Sequence, residues 1–126
     1  METANVLVVD DDKLTRWSAA TILGSMGYQV SEAASLTEAV AALEQSTPRL
    51  VLLDIRLPDG DGFTLLQRIR HHNPGVPVLM MTAHPSSETV QRAMDLGAAG
   101  HLKKPFKSAE LKEAVLGALE AAGRKG

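Results

Sequence analysis

Cysteine is absent from all 126 residues, which excludes disulfide staples and thiolate metal sites and agrees with a reducing cytoplasm. Aromatics are scarce: Trp17, Tyr28, Phe63 and Phe106 are the whole set, too few for a platform on which bases stack. A basic field is missing too. The formal net charge is −2, so direct binding to nucleic acid or anionic lipid is not expected. No apolar run is long enough to span a membrane, and the polar start Met1-Glu2-Thr3-Ala4-Asn5 offers no signal peptide. A soluble cytoplasmic domain is expected, large enough to bury a substantial core.

What is present is alternation. Leu50-Val51-Leu52-Leu53 is an unbroken apolar run between Pro48 and Pro58 that ends in Asp54, and it reads as a strand buried on both faces. Val6-Leu7-Val8-Val9 ends likewise in Asp10-Asp11-Asp12, and Val78-Leu79-Met80-Met81 ends in Thr82-Ala83. Met80 and Met81 read as core filling, not as redox sensors. Tyr28-Gln29-Val30 and His101-Leu102-Lys103-Lys104 supply two shorter strands.

Helical stripes separate these strands. The first is Ala19, Ile22, Leu23 and Met26, closed by Gly27; the second is Leu36, Ala39, Val40 and Leu43, opened by the capping box Ser35-Leu36-Thr37-Glu38. The third is Phe63, Leu65, Leu66 and Ile69, stopped by Asn73-Pro74-Gly75. The fourth, capped by Ser86 or Ser87, turns Val90, Ala93 and Met94 inward and ends at Gly97. In the fifth, Ser108 caps a stripe of Leu111, Val115, Ala118 and Leu119, with Arg124 and Lys125 just past its end. His71-His72 reads as cations closing the third helix, because adjacent residues do not share a helix face. Five strands alternating with five helices predict right-handed crossovers and a parallel sheet covered on both faces.

In such sheets ligands sit beyond the carboxyl ends of the strands. The residues there are Asp10, Asp11, Asp12, Asp54, Thr82, Ala83 and Lys104. Converging carboxylates repel each other unless a cation intervenes, and all-oxygen donors suit Mg²⁺, which binds through one or two carboxylates plus a phosphate. Asp54 is then a candidate nucleophile toward a phosphoryl group, with Mg²⁺ and the Lys104 ammonium neutralising its oxygens. The Thr82 hydroxyl and nearby main-chain amides, Ala83 included, are expected to donate hydrogen bonds to it.

This ordered set, Asp10-Asp11, Asp54, Thr82-Ala83 and Lys104-Pro105, with Asp54-Ile55-Arg56-Leu57-Pro58 and Asp61-Gly62 after the central aspartate, resembles the signature of response-regulator receiver domains of two-component signalling. The Arg16-Trp17 pair is similar to one in receivers of nitrogen-regulatory transcription activators. The resemblance implies a single (βα)5 flavodoxin-like three-layer sandwich with strand order 2-1-3-4-5, filling residues 1–126 with flexible ends at 1–4 and 121–126. It implies that Asp54 accepts phosphate from a sensor histidine kinase or a histidine phosphotransfer protein. Asp11, Asp54 and the Arg56 carbonyl would bind Mg²⁺ directly, and Asp10 through water. Thr82, Ala83, Lys104 and Arg56 would contact the phosphoryl group, and Lys104-Pro105 would be cis. Thr82 and His101 would relay the change to the surface of the fourth helix, last strand and last helix. That surface would control an output, in the same chain or a separate effector, and support a homodimer on phosphorylation. The domain would be no enzyme beyond its own phosphoryl transfer and hydrolysis, and the output is expected to be transcription-regulatory.

His101 departs from the tyrosine or phenylalanine usual at its position. Imidazole adds a titratable group, so the response is expected to vary between about pH 5 and 8, unless His101 is simply a tolerated edge-strand residue. Arg56 and His84, each two residues beyond a site residue, are expected to overhang the site or to point into solvent. Trp17 falls outside the first helical stripe and reads either as a partner surface or as a partly buried tryptophan without a role. Asp12 reads as a solvated neighbour. The competing reading is a phosphatase of the haloacid-dehalogenase type, with Asp10 as nucleophile and Asp12 as acid. Leu14 does not fit that pattern, and the chain lacks room for a cap domain.

Overall fold

The computed structural model describes residues 5–125, so the expectation for residues 1–4, and Gly126, lie outside it. Among the described residues the order is β1 (Asn5–Val9), α1 (Lys13–Ser25), β2 (Gln29–Ala33), α2 (Leu36–Gln45), β3 (Leu50–Asp54), β4 (Arg56–Leu57), β5 (Gly60–Asp61), α3 (Gly62–His72), β6 (Val78–Thr82), α4 (Ser87–Asp95), β7 (Gly100–Lys103) and α5 (Ser108–Lys125). Five strands form one sheet in the order β2-β1-β3-β6-β7, every neighbouring pair parallel. With the small antiparallel ladder of β4 and β5 set aside, this is the expected 2-1-3-4-5 order of a flavodoxin-like sandwich. No described helix is long and apolar enough to cross a membrane.

Side-chain alternation along the strands divides the core in two. Leu7, Val9, Val51, Leu53, Val78 and Met80 pack under α2, α3 and α4 with Ala39, Phe63, Leu66, Ile69 and Ala93. Val6, Val8, Leu50, Leu52, Leu79 and Met81 face α1 and α5, meeting Ala19, Leu23, Leu111 and Val115. Since β3 has neighbours on both edges and helices on both faces, all five of its residues are buried. That burial is why the run is apolar without a break.

Several local expectations are corrected. The second strand is Gln29–Ala33, because parallel pairing with β1 carries it to Val9↔Ala33. Ser108 lies inside α5 and does not cap it: Leu111 N–H bonds to the Lys107 carbonyl, and Glu110 accepts the Lys107 N–H at 2.8 Å. The last helix runs on to Lys125, so Arg124 and Lys125 belong to it instead of following it. Met94 is 44 % exposed. The Glu38 arm of the α2 box bonds Ala34 N–H at 3.0 Å, one residue before the Ser35 cap. Gly27 and Gly97, at φ of 93° and 97°, end α1 and α4 in the left-handed region as expected.

Candidate functional site

At the carboxyl edge of the sheet three separate stretches meet. Asp10 prolongs β1, its N–H reaching the Ala33 carbonyl at 3.0 Å, and it is wholly buried. Its Oδ1 accepts the Asp12 N–H at 2.9 Å and its Oδ2 accepts from Lys104 Nζ at 2.8 Å. Asp54, the last residue of β3, accepts from the same Nζ at 2.9 Å through Oδ2 and from Arg56 N–H at 3.3 Å through Oδ1. Lys104 follows β7, where its N–H bonds to the Thr82 carbonyl at 2.8 Å and its peptide to Pro105 is cis. One ammonium thus bridges two buried carboxylates from distant parts of the chain.

Asp11 is exposed and no protein donor reaches its carboxylate among the described residues. An oxygen of Asp11, one of Asp10 and one of Asp54 nevertheless lie within 4.8 Å of one another. Three carboxylates facing one ammonium leave an excess of negative charge. Burial pushes the Asp10 carboxyl up from its ordinary range, with the Lys104 hydrogen bond pulling the other way. Burial also works against the Lys104 ammonium, but its bonds to Asp10 and Asp54 outweigh it and hold the group above its ordinary value. An all-oxygen donor set with spare negative charge fits Mg²⁺. Asp10, Asp11 and Asp54 are the side chains able to hold it.

Thr82 ends β6, one residue beyond the Met81 that pairs with Asp54. Its Oγ1 accepts the His84 N–H at 3.1 Å. Ala83, His84 and Arg56 are exposed. His101, on β7, pairs with Met80 of β6 and is exposed. Trp17, at 64 % exposed, and Leu14, at 70 %, leave apolar surface on α1.

Three contributors escape a reading by sequence stretch. Asp12 is more than a solvated neighbour: it caps α1, accepting from Thr15 Oγ1 at 2.6 Å and Thr15 N–H at 3.3 Å. Those bonds, the hydroxyl's above all, hold its carboxyl below its ordinary value. The Asp12-x-x-Thr15 spacing was the available signal. Asp59 reaches from the β4–β5 turn to the start of α2, accepting from Leu36 N–H at 2.8 Å, Thr37 N–H at 3.0 Å and Thr37 Oγ1 at 2.8 Å. Gly62 carries its N–H to the Ile55 carbonyl at 2.6 Å, and any Cβ there would collide with the Asp54 carbonyl oxygen. The phosphatase reading fares poorly, since Asp10 is wholly buried and Asp12, the acid it requires, is engaged as the cap of α1.

The comparisons agree with this geometry. A family profile described as the response regulator receiver domain matches residues 6–116. The DNA-binding transcriptional regulator NtrC of Salmonella typhimurium is 38 % identical over 115 residues, covering 91 % of this chain and 24 % of that protein. The chain therefore spans about a quarter of the length of such relatives. Sporulation initiation phosphotransferase F of Bacillus subtilis is 33 % identical and is matched over 93 % of its own length and 91 % of this chain. Among solved structures, a CheY-like receiver domain protein from Methanospirillum hungatei superposes with a TM-score of 0.92 at 32 % identity, covering 99 % of this chain and 100 % of that one. The receiver domain of NtrX from Brucella abortus gives 0.86 at 38 % identity over 91 % of this chain and 98 % of that one. With a profile that matches residues 6–116, and relatives similar in sequence or in fold, this chain belongs to the response regulator receiver domain family.

Proposed function

We propose that this receiver domain is switched by transfer of a phosphoryl group to Asp54 from the phosphohistidine of a sensor kinase or a histidine phosphotransfer protein. The observation that carries the reading is the Lys104 ammonium shared between Asp10 and Asp54 at 2.8 and 2.9 Å. An Asp54 carboxylate oxygen attacks phosphorus, the P–N bond breaks, and its electron pair stays on the donor imidazole, which takes up a proton. Lys104, freed from Asp54, follows the charge onto a phosphoryl oxygen. Thr82 and the main-chain N–H of Ala83 supply further hydrogen bonds, and the exposed Arg56 guanidinium screens the acyl phosphate from water. Asp10, Asp11, Asp54 and the Arg56 carbonyl would hold Mg²⁺, whose charge would offset the negative charge that builds on the transferring oxygens.

The change then passes through Thr82 and His101 to the surface of α4, β7 and α5. As Thr82 Oγ1 turns to the phosphoryl group it gives up the His84 N–H, so the segment entering α4 is the first to respond. Such a shift redistributes two existing conformations and does not create a new one. A transcription-regulatory output follows the likeness to NtrC, whose name describes a DNA-binding regulator. A homodimer formed on phosphorylation, in the cytoplasm, completes the reading. Incubation with Mg²⁺ and phosphoramidate, a small donor with the same P–N bond, is expected to label Asp54. Failure to label the wild-type chain, or equal labelling of Asp54→Asn, contradicts it.

A further inference from the structure

Behind the acidic turn stands a side chain that the phosphoryl chemistry does not use. Arg16, in α1, donates through Nη1 to the main-chain carbonyl of Asp10 at 2.7 Å and through Nε to Glu32 Oε1 on β2 at 3.1 Å. Its side chain is 16 % exposed. The Asp10 carbonyl lies at the end of β1 in a wholly buried residue, where an acceptor without a donor is costly. Arg16 meets that need with a short charge-assisted bond.

The consequence falls on Asp11. No protein donor reaches its carboxylate among the described residues, so the main chain of the turn is what fixes the position from which it reaches. Within the turn, Asp12 N–H bonds to Asp10 Oδ1 and Asp12 caps α1. Arg16 fastens the same main chain to the neighbouring strand through Glu32. We propose that Arg16, oriented by Glu32, is a positioning residue for divalent-cation binding, bringing the Asp11 carboxylate into register with those of Asp10 and Asp54. This inference rests on reading those three carboxylates as the Mg²⁺ site.

Charge and geometry make opposite predictions. A guanidinium beside an acidic pocket repels a cation, so charge alone predicts that Arg16→Gln tightens Mg²⁺ binding; loss of positioning predicts that it weakens. The double variant Arg16→Gln/Glu32→Gln removes one charge of each sign and isolates geometry. Titration calorimetry of Mg²⁺ alone into the full chain is expected to show affinity about tenfold weaker in the double variant, within the usual range for groups that orient metal ligands. Arg16→Gln also weakens binding, and Arg16→Lys recovers part of it, because an ammonium lacks the fork that spans carbonyl and carboxylate together. Double-variant affinity equal to wild type, or tighter binding by Arg16→Gln, overturns the proposal whatever happens to the melting temperature. Should the double variant not fold, Arg16→Gln alone decides, because charge predicts tighter binding there: weaker Mg²⁺ binding supports the proposal, and unchanged or tighter binding refutes it. A wild-type chain that binds no Mg²⁺ sinks the metal site itself, whereas normal wild-type binding with unaltered variants sinks only the brace.

Discussion

Asp10 carries two conflicting demands: its place at the end of a buried strand favours the neutral acid, and its bond to Lys104 favours the carboxylate. Burial prevails, so its folded pKa lies above the ordinary 3.8. The folded state therefore holds the proton more tightly than the unfolded chain, and stability falls as pH rises from 3.8 through the folded value. Asp10→Asn is thus expected to melt higher than wild type at neutral pH without divalent cations. That gap should close below pH 3.8, and a gap that persists or changes sign in acid would argue against the assignment. Gly62 makes a steric prediction at the same scale. Gly62→Ala must push the 55–62 loop off the Asp54 carbonyl, costing about 1–3 kcal/mol in chemical denaturation and slowing labelling of Asp54.

Helix α2 depends on two polar groups from different parts of the chain. Ser35 accepts the Glu38 N–H at 3.1 Å, and Asp59 takes the Leu36 and Thr37 amides. Ser35→Ala is expected to cost about 1 kcal/mol in urea unfolding; no loss would mean that Asp59 suffices as a cap. The first cap was legible in the sequence because its partners are three residues apart. The second was not, because it joins residues 22 and 23 positions apart and appears only once β3 has turned back. The central strands were legible for a related reason: burial on both faces demands unbroken apolar runs. Edge strand β2, Gln-Val-Ser-Glu-Ala, reaches full burial only at Ala33, so composition could not set its bounds. Met94 misled because Arg92 lies 4.3 Å over the Phe63 ring and Ala93 faces the core. Roughly 100° of helical rotation per residue then turns Met94 outward.

At the scale of the whole molecule, parallel pairing brings the carboxyl ends of β1, β3, β6 and β7 to one edge. The candidate site was readable because each of these strands ends in, or is followed by, a polar group, and topology does the rest. How finely the groups are aimed was not readable, since Arg16 and Gly62 meet main-chain carbonyls and Glu32 touches the turn only through Arg16. If Mg²⁺ binds only the folded chain, it should stabilise that chain by about 2.7 kcal/mol at a hundred times its dissociation constant. Asp11→Asn should lose most of that gain, and equal stabilisation of both proteins would remove Asp11 from the site.

The central claim, that Asp54 accepts the phosphoryl group with Mg²⁺ present, is tested most directly by intact-mass measurement after incubation with acetyl phosphate. The wild-type chain should gain one phosphoryl group with Mg²⁺ and none when the metal is chelated, and Asp54→Asn should gain none. An unchanged wild-type mass, or a phosphoryl group mapped to any other residue, would contradict the account.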